Sequence, residues 1–227
     1  MRIIPLVSLS ALALAGCAAS SAEPAAAPVA TATPVAAPYA PVIPKGTGIF
    51  AEPSTLPFQA PDFSRIKESD YEPAIEQGIA IKLAEIDAIA NNPEAPTFEN
   101  TMVAMENAGS MLTRVSYVFG ALVSANTNDV LDGIDSRTAP KFAALRDAIT
   151  LNPKLFGRIK TLYDNRNNLG LAPDQIQLIE LTHDDMVRNG ANLGAADKAA
   201  LTEINGQLSS LTTEFGHKVK TKNRLPM

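Results

Sequence analysis

The sequence predicts an all-α protein, a multi-helix array of about six helices. Three observations carry that prediction. Apolar residues recur at spacings of three and four from about residue 70 to 215, no stretch alternates with the period of a strand, and Pro, Asn and Gly cluster between the periodic runs.

The first helix starts near Asp70, because Ser69-x-x-Glu72 has capping-box spacing and Pro73 falls in the opening turn, and it runs to Ala90. Tyr71, Ile75, Ile79, Ile86 and Ile89 mark its inner face. Asn91 to Gly109 follows as a proline-spaced turn, with Thr97 as N-cap of a second helix and Glu99 near its positive end. Phe98, Met102, Met105, Leu112, Val115, Phe119 and Leu122 draw one stripe along that helix, roughly seven turns long. A third helix carries Leu131, Ile134, Phe142, Leu145 and Ile149, with a kink or break expected at Pro140.

Asn152-Pro153 supplies N-cap and first residue of a fourth helix, whose face is Leu155, Phe156, Ile159, Leu162 and Tyr163 and which ends at Asn168 to Gly170. Pro173 opens a fifth helix and Gly190 closes it. The sixth, from about Ala195, has Leu201, Ile204, Leu208, Leu211 and Phe215 in a coiled-coil-like seam, so Leu208→Ala is expected to cost ~2–5 kcal/mol through a lost core contact. Lys218, Lys220, Lys222 and Arg224 interrupt that pattern, which sets off 220–227 as an aberrant basic tail.

Composition excludes several functions. The chain has 227 residues, 46% of them hydrophobic, and a formal net charge of -5. That is enough apolar mass for a sizeable core, and it carries no basic footprint for nucleic acid. One cysteine, Cys17, excludes an internal disulfide framework, and two histidines, His183 and His217, leave little material for metal or nucleophile chemistry.

Residues 1–16 read as a secretory signal: Arg2, an apolar run from Ile3 to Leu14, then Leu14-Ala15-Gly16-Cys17. The run is too short to span a membrane. The L-A-G-C ending resembles the lipobox of bacterial lipoproteins, which implies lipidation of Cys17 and attachment to a membrane through that lipid. Ala18 after the cysteine implies the outer membrane, facing the periplasm, of a bacterial cell envelope. Residues 17–61 hold nine of the seventeen prolines among Ala, Ser, Thr and Val, a composition expected to form a disordered tether. The helical lobe then occupies 62–219.

Several ordered motifs in this lobe carry a family resemblance: N-P-E-A-P-T-F-E-N-T from Asn92 to Thr101, R-D-A-I-T-L-N from Arg146 to Asn152, L-F-G-R-I from Leu155 to Ile159, L-Y-D-N-R from Leu162 to Arg166, and V-R-N-G-A-N-L from Val187 to Leu193. Together they resemble the N-terminal region of the thimet-oligopeptidase-like zinc metallopeptidases, in particular the bacterial peptidyl-dipeptidase (Dcp) branch. The resemblance implies a two-lobed helical fold around a deep channel, an H-E-x-x-H zinc site in the second lobe, short peptides as substrates and release of C-terminal dipeptides. This chain matches only the first lobe. The expectation is therefore an N-terminal fragment, zinc-dependent only in the complete enzyme, with no catalytic and no metal-binding residue of its own, and with the missing catalytic lobe as a partner, whether in a longer product of the same gene or in a separate chain.

Glu214-Phe215-Gly216-His217 imitates part of an H-E-F-G-H zinc motif, yet Thr213 stands where the first histidine is required. Glu180-x-x-His183 and Glu214-x-x-His217 together imitate half of a di-iron bundle site. His183 falls with Ile176, Ile179 and Met186, as a core or boundary histidine would, whereas His217 faces away from the seam, which argues against a shared site. Asp184 and Asp185 read as solvated helix charges. A reading of a different class is a free-standing helical lipoprotein that binds a peptide or partner protein through an uncovered stripe on its last helix.

Overall fold

The computed structural model describes residues 41–223, with side chains to Lys220. The signal segment, Cys17, most of the expected tether and the end of the basic tail lie outside the described residues. The described body belongs to one compact unit that starts at Tyr39.

Its elements are α1 (Glu68–Ala90), a π-helical turn (Phe98–Val103) leading into α2 (Ala104–Asn107), α3 (Ser110–Ala125), α4 (Asp129–Thr150), α5 (Pro153–Asn165), α6 (Pro173–Arg188) and α7 (Ala195–Asn223). From Glu68 onward the chain is helical with short turns, residues 41–67 are irregular apart from a 3-10 turn at Pro57–Gln59, and no strand occurs among the described residues, as the periodicity predicts.

α1 is the spine, and two cores form along it. Its first half contributes Tyr71, Ile75 and Ile81 to a cluster with Met111, Leu112, Val115 and Phe119 of α3 and Leu131, Ile134 and Leu145 of α4. Its second half contributes Ile86 and Ile89 to a cluster with Phe98, Met102, Leu155, Ile159, Leu162, Ile179 and Met186. Ile149 packs against both.

Four local expectations are corrected. α1 begins two residues before the Ser69-x-x-Glu72 box: Lys67 is the N-cap and its amide donates to Asp70 Oδ2 at 2.8 Å. Glu72 instead accepts from Arg137 of α4 at 2.9 and 2.7 Å, and that bond holds its carboxyl below the usual range. The seven-turn second helix is divided at Ala108 and Gly109, where Ala108 is extended and Gly109 adopts φ +83°. Gly109 N donates to Glu85 Oε2 of α1 at 2.6 Å, and an added Cβ there would meet the Lys82 side chain at 2.5 Å. The break lets Phe98 and Met102 reach one core while Leu112, Val115 and Phe119 reach the other. At Pro140, where a kink or break is expected, α4 continues as one helix, which excludes the break.

The fourth correction concerns the tether. Packing reaches back past residue 62: Phe50 is buried against Tyr71 at 5.7 Å between rings, Ile43 and Ile49 pack on the first core, and Arg114 holds the Phe50 and Ala51 carbonyls. Three apolar side chains within eight residues outweigh the proline-rich composition around them.

Caps fall where the sequence places them at Thr97, whose Oγ1 accepts from Asn100 N at 3.0 Å, and at Asn152, whose Oδ1 accepts from Lys154 N and Leu155 N at 3.0 and 3.1 Å. α1 and α3 approach closely at Gly78, where an added Cβ would stand 2.8 Å from Leu112 Cα. Because the obstacle is backbone, Gly78→Ala must force the helices apart, and it is expected to lower stability by ~1–3 kcal/mol in urea unfolding.

Candidate functional site

The described surface has one large departure from ordinary helix packing, and it lies on α7. At 3.6 residues per turn, Ile204, Leu208, Leu211, Phe215 and Val219 share one face. They are 58%, 59%, 63%, 68% and 42% exposed. The predicted seam is thus real as a pattern but faces outward, and Leu208→Ala does not carry the cost expected of a core leucine: a side chain already in solvent leaves no cavity when it is shortened.

α7 is held on α4 by its other side. Lys198 Nζ donates to the carbonyl of Leu151, the C-cap of α4, at 3.0 Å and Asn205 Nδ2 to Asp147 Oδ1 at 2.8 Å, while Lys220 Nζ reaches past α4 to Val123 O of α3 at 3.2 Å. His217 Nε2 lies 2.9 Å from Asp135 Oδ2 and 3.8 Å from Asp132 Oδ1. These contacts occupy a face centred roughly 130° around the helix from the apolar stripe. On α4 the receiving residues Asp132, Asp135, Ala139, Ala143 and Asp147 form a small and polar strip beside the apolar one. A hollow of about 530 Å³ remains between the two helices, walled by Phe142, Arg146, Asp147 and Leu208 among others.

The histidine pairs flagged in the sequence do not assemble. His183 stacks on Tyr163 at 3.9 Å and on Phe156 at 5.5 Å between ring centroids, while its helix neighbour Glu180 accepts from Arg166 at 2.7 Å. Arg166 in turn lies over the Tyr163 ring at 4.1 Å. His183 is therefore a boundary histidine inside an aromatic and ionic cluster of α5 and α6, and His217 belongs to the α4 contact. Glu214 is exposed and bonded to Lys218, which holds its carboxyl below the usual range. Asp184 Oδ1 is 3.3 Å from His183 Nδ1, and Asp185 Oδ1 accepts from Asn189 at 3.0 Å.

A zinc ion requires three or four converging nitrogen, sulfur or carboxylate ligands. The Glu214–His217 stretch does not fit one: its carboxylate points to a lysine and its imidazole to Asp135, with Thr213 in place of a second imidazole. Among the described residues no group of three His, Cys, Asp or Glu side chains converges as a metal site. No described helix is long and apolar enough to cross a membrane.

The most ordered polar construction is the one around Arg158 on α5, which is only 7% exposed. Its Nη1 donates to the carbonyls of Asn92 and Glu94 at 2.9 Å each, Nη2 donates to Asn100 Oδ1 at 2.7 Å, and Nε donates to Thr101 Oγ1 at 3.3 Å. Burial lowers the guanidinium pKa, and Glu94 opposes that shift. The L-F-G-R-I motif thus clasps the N-P-E-A-P-T-F-E-N-T turn. Sequence reasoning found both motifs and missed the bond between them, because nothing in either string specifies its partner. It also missed Asp147 and Asn205, since periodicity reveals an apolar face and is silent about a polar one.

No family model matches the chain. Among curated proteins it is 41% identical over 175 residues to the dipeptidyl carboxypeptidase of Escherichia coli (strain K12), a match that covers 77% of this chain and 26% of that protein. It is 39% identical over 173 residues to the dipeptidyl carboxypeptidase of Salmonella typhimurium, covering 76% of this chain and 25% of the relative. The helical body is accordingly a homologue of the dipeptidyl carboxypeptidases over a peptidyl-dipeptidase-like N-terminal region, and the chain spans about a quarter of the length of those relatives.

Proposed function

We propose that this chain is the N-terminal helical lobe of a zinc-dependent peptidyl-dipeptidase, an enzyme that releases C-terminal dipeptides from short peptides, and that by itself it is inactive. The observation that carries this reading is the outward stripe of Ile204, Leu208, Leu211, Phe215 and Val219. Five large apolar side chains on one helix face are built to be covered. A protein that shares about 40% identity with a quarter of a larger enzyme has an obvious covering in the remainder of that enzyme. In this reading the lobe walls the substrate channel, the zinc ligands come from the other lobe, and α7 is where the two lobes meet. Lipidation of Cys17 anchors the assembly in the bacterial envelope, at the outer membrane facing the periplasm.

The test is direct. The purified chain, incubated with short peptides, is expected to release no dipeptide with or without added zinc. Chelator-sensitive release by this chain alone, absent from a mock preparation, would overturn the inactivity. In cells fed a labelled fatty acid, label is expected on the wild-type chain and not on Cys17→Ser.

A second reading rests on the same stripe: a free-standing helical lipoprotein that binds a peptide or partner protein. The nucleotides that follow the codon of residue 227 separate the two. An H-E-x-x-H segment in any of the three frames supports the lobe, and unrelated sequence supports the binding module.

A further inference from the structure

The polar contact between α4 and α7 contains a carboxylate that the protein leaves incomplete. Asp147 is 6% exposed, and its Oδ1 accepts from Asn205 Nδ2 at 2.8 Å. Its Oδ2 is buried and has no hydrogen-bond partner among the described residues. An ionised carboxylate has about four acceptor positions, and one neutral amide fills one of them. Leaving a charged group in that condition is unfavourable, and native proteins normally resolve it with a donor from elsewhere.

Its surroundings say which donor. Asp147 lines the hollow of about 530 Å³ between α4 and α7 and also a second of about 900 Å³ towards Lys198. Both are of a size that small-molecule sites occupy. Arg146 lines the first hollow, and its guanidinium makes a single hydrogen bond, from Nη2 to Asn189 Oδ1 at 3.2 Å. Most of its five donors are therefore unused by the described residues. Phe142 and Leu208 add apolar wall to the same hollow. Asp135 lines the same hollow but lies 2.9 Å from His217 Nε2, which leaves Asp147 as the carboxylate with an unfilled acceptor; a carboxylate, a guanidinium and an apolar wall lining one hollow suit a small zwitterion. A metal ion fits less well, because no third acidic or imidazole ligand converges there among the described residues.

We propose that the hollow between α4 and α7 binds a small zwitterion, an α-amino acid with an apolar side chain, its ammonium held by Asp147 and its carboxylate by Arg146. Turning the Asp147 carboxyl about its Cβ–Cγ bond presents the buried Oδ2 to the ammonium, and Phe142 and Leu208 receive the side chain. The site lies wholly within this chain, so it stands or falls apart from any peptidase activity.

The experiment is titration calorimetry on the full chain with L-leucine, N-acetyl-L-leucine and L-leucinamide. Leucine is expected to bind saturably at one site. Acetylation, which removes the ammonium, and Asp147→Asn, which keeps the shape of the side chain, are each expected to weaken binding at least about tenfold. Leucinamide and Arg146→Gln are expected to weaken it together, since each removes one half of the same ion pair. Absence of saturable leucine binding overturns the proposal. So does equal binding of leucine and N-acetyl-leucine by the wild-type chain, a comparison that does not depend on any variant folding. A crystal grown with leucine that shows only a water against Oδ2 overturns it as well.

Discussion

Leu155→Ala is expected to destabilise the protein by ~2–5 kcal/mol, and Leu208→Ala by no more than about 0.5 kcal/mol. The two leucines look alike in sequence, each at the inner position of an apolar run. Leu155 is fully buried in the second core with Phe98, Ile159 and Ile179, while Leu208 is 59% exposed. Truncating Leu155 removes its transfer free energy and leaves a void that close-packed neighbours on α1 and α5 cannot fill. Truncating Leu208 removes surface that water already reaches. Urea unfolding of both variants against wild type checks the pair. A large loss for Leu208→Ala would mean that α7 turns its stripe inward in solution, and similar midpoints for Leu155→Ala and wild type would mean that the second core is not formed.

Arg158→Ala is expected to lower stability by about 2–4 kcal/mol, because it strands the Asn92 and Glu94 carbonyls and takes a charged donor from Asn100 Oδ1 and Thr101 Oγ1, which keep only their bonds to each other and to Thr97 N. Arg158→Lys should recover only part of the loss. A point ammonium lacks the planar fork that reaches the Asn92 and Glu94 carbonyls and Asn100 at once. The damage should be local before it is global: amide hydrogen exchange should accelerate first across residues 92–101, the turn that the guanidinium holds, while α3 and α4 keep their protection. Wild-type exchange in that turn together with an unchanged unfolding midpoint would show that the clasp is not formed in solution.

The helices were legible because each carries its own signals. Asn152-Pro153 states a cap and a first turn, Thr97 states another, and Gly170 and Gly190 take positive φ at the ends that the sequence marks. The ordered motifs fixed the relationship to the dipeptidyl carboxypeptidases, which the curated relatives bear out at about 40% identity. The failures share a cause. Periodicity says that a face is apolar and leaves open what lies against it, so the α7 seam was assigned to the core. Composition averages over a segment, so Phe50 was lost among prolines. An unbroken stripe from Phe98 to Leu122 fits one rod, and only the two separate cores show why Gly109 divides it.

The sequence by itself determined an all-helical body, most of its helix ends and the family to which its motifs are related, because local hydrogen bonding and side-chain spacing act within a few residues of each other. Only the tertiary structure decided that Arg158 clasps the Asn92–Thr101 turn, that α7 docks on α4 by its polar side with its apolar stripe outward, and that Asp147 is left one donor short. Those are matters of which surface meets which, set by contacts between residues 47 to 97 positions apart.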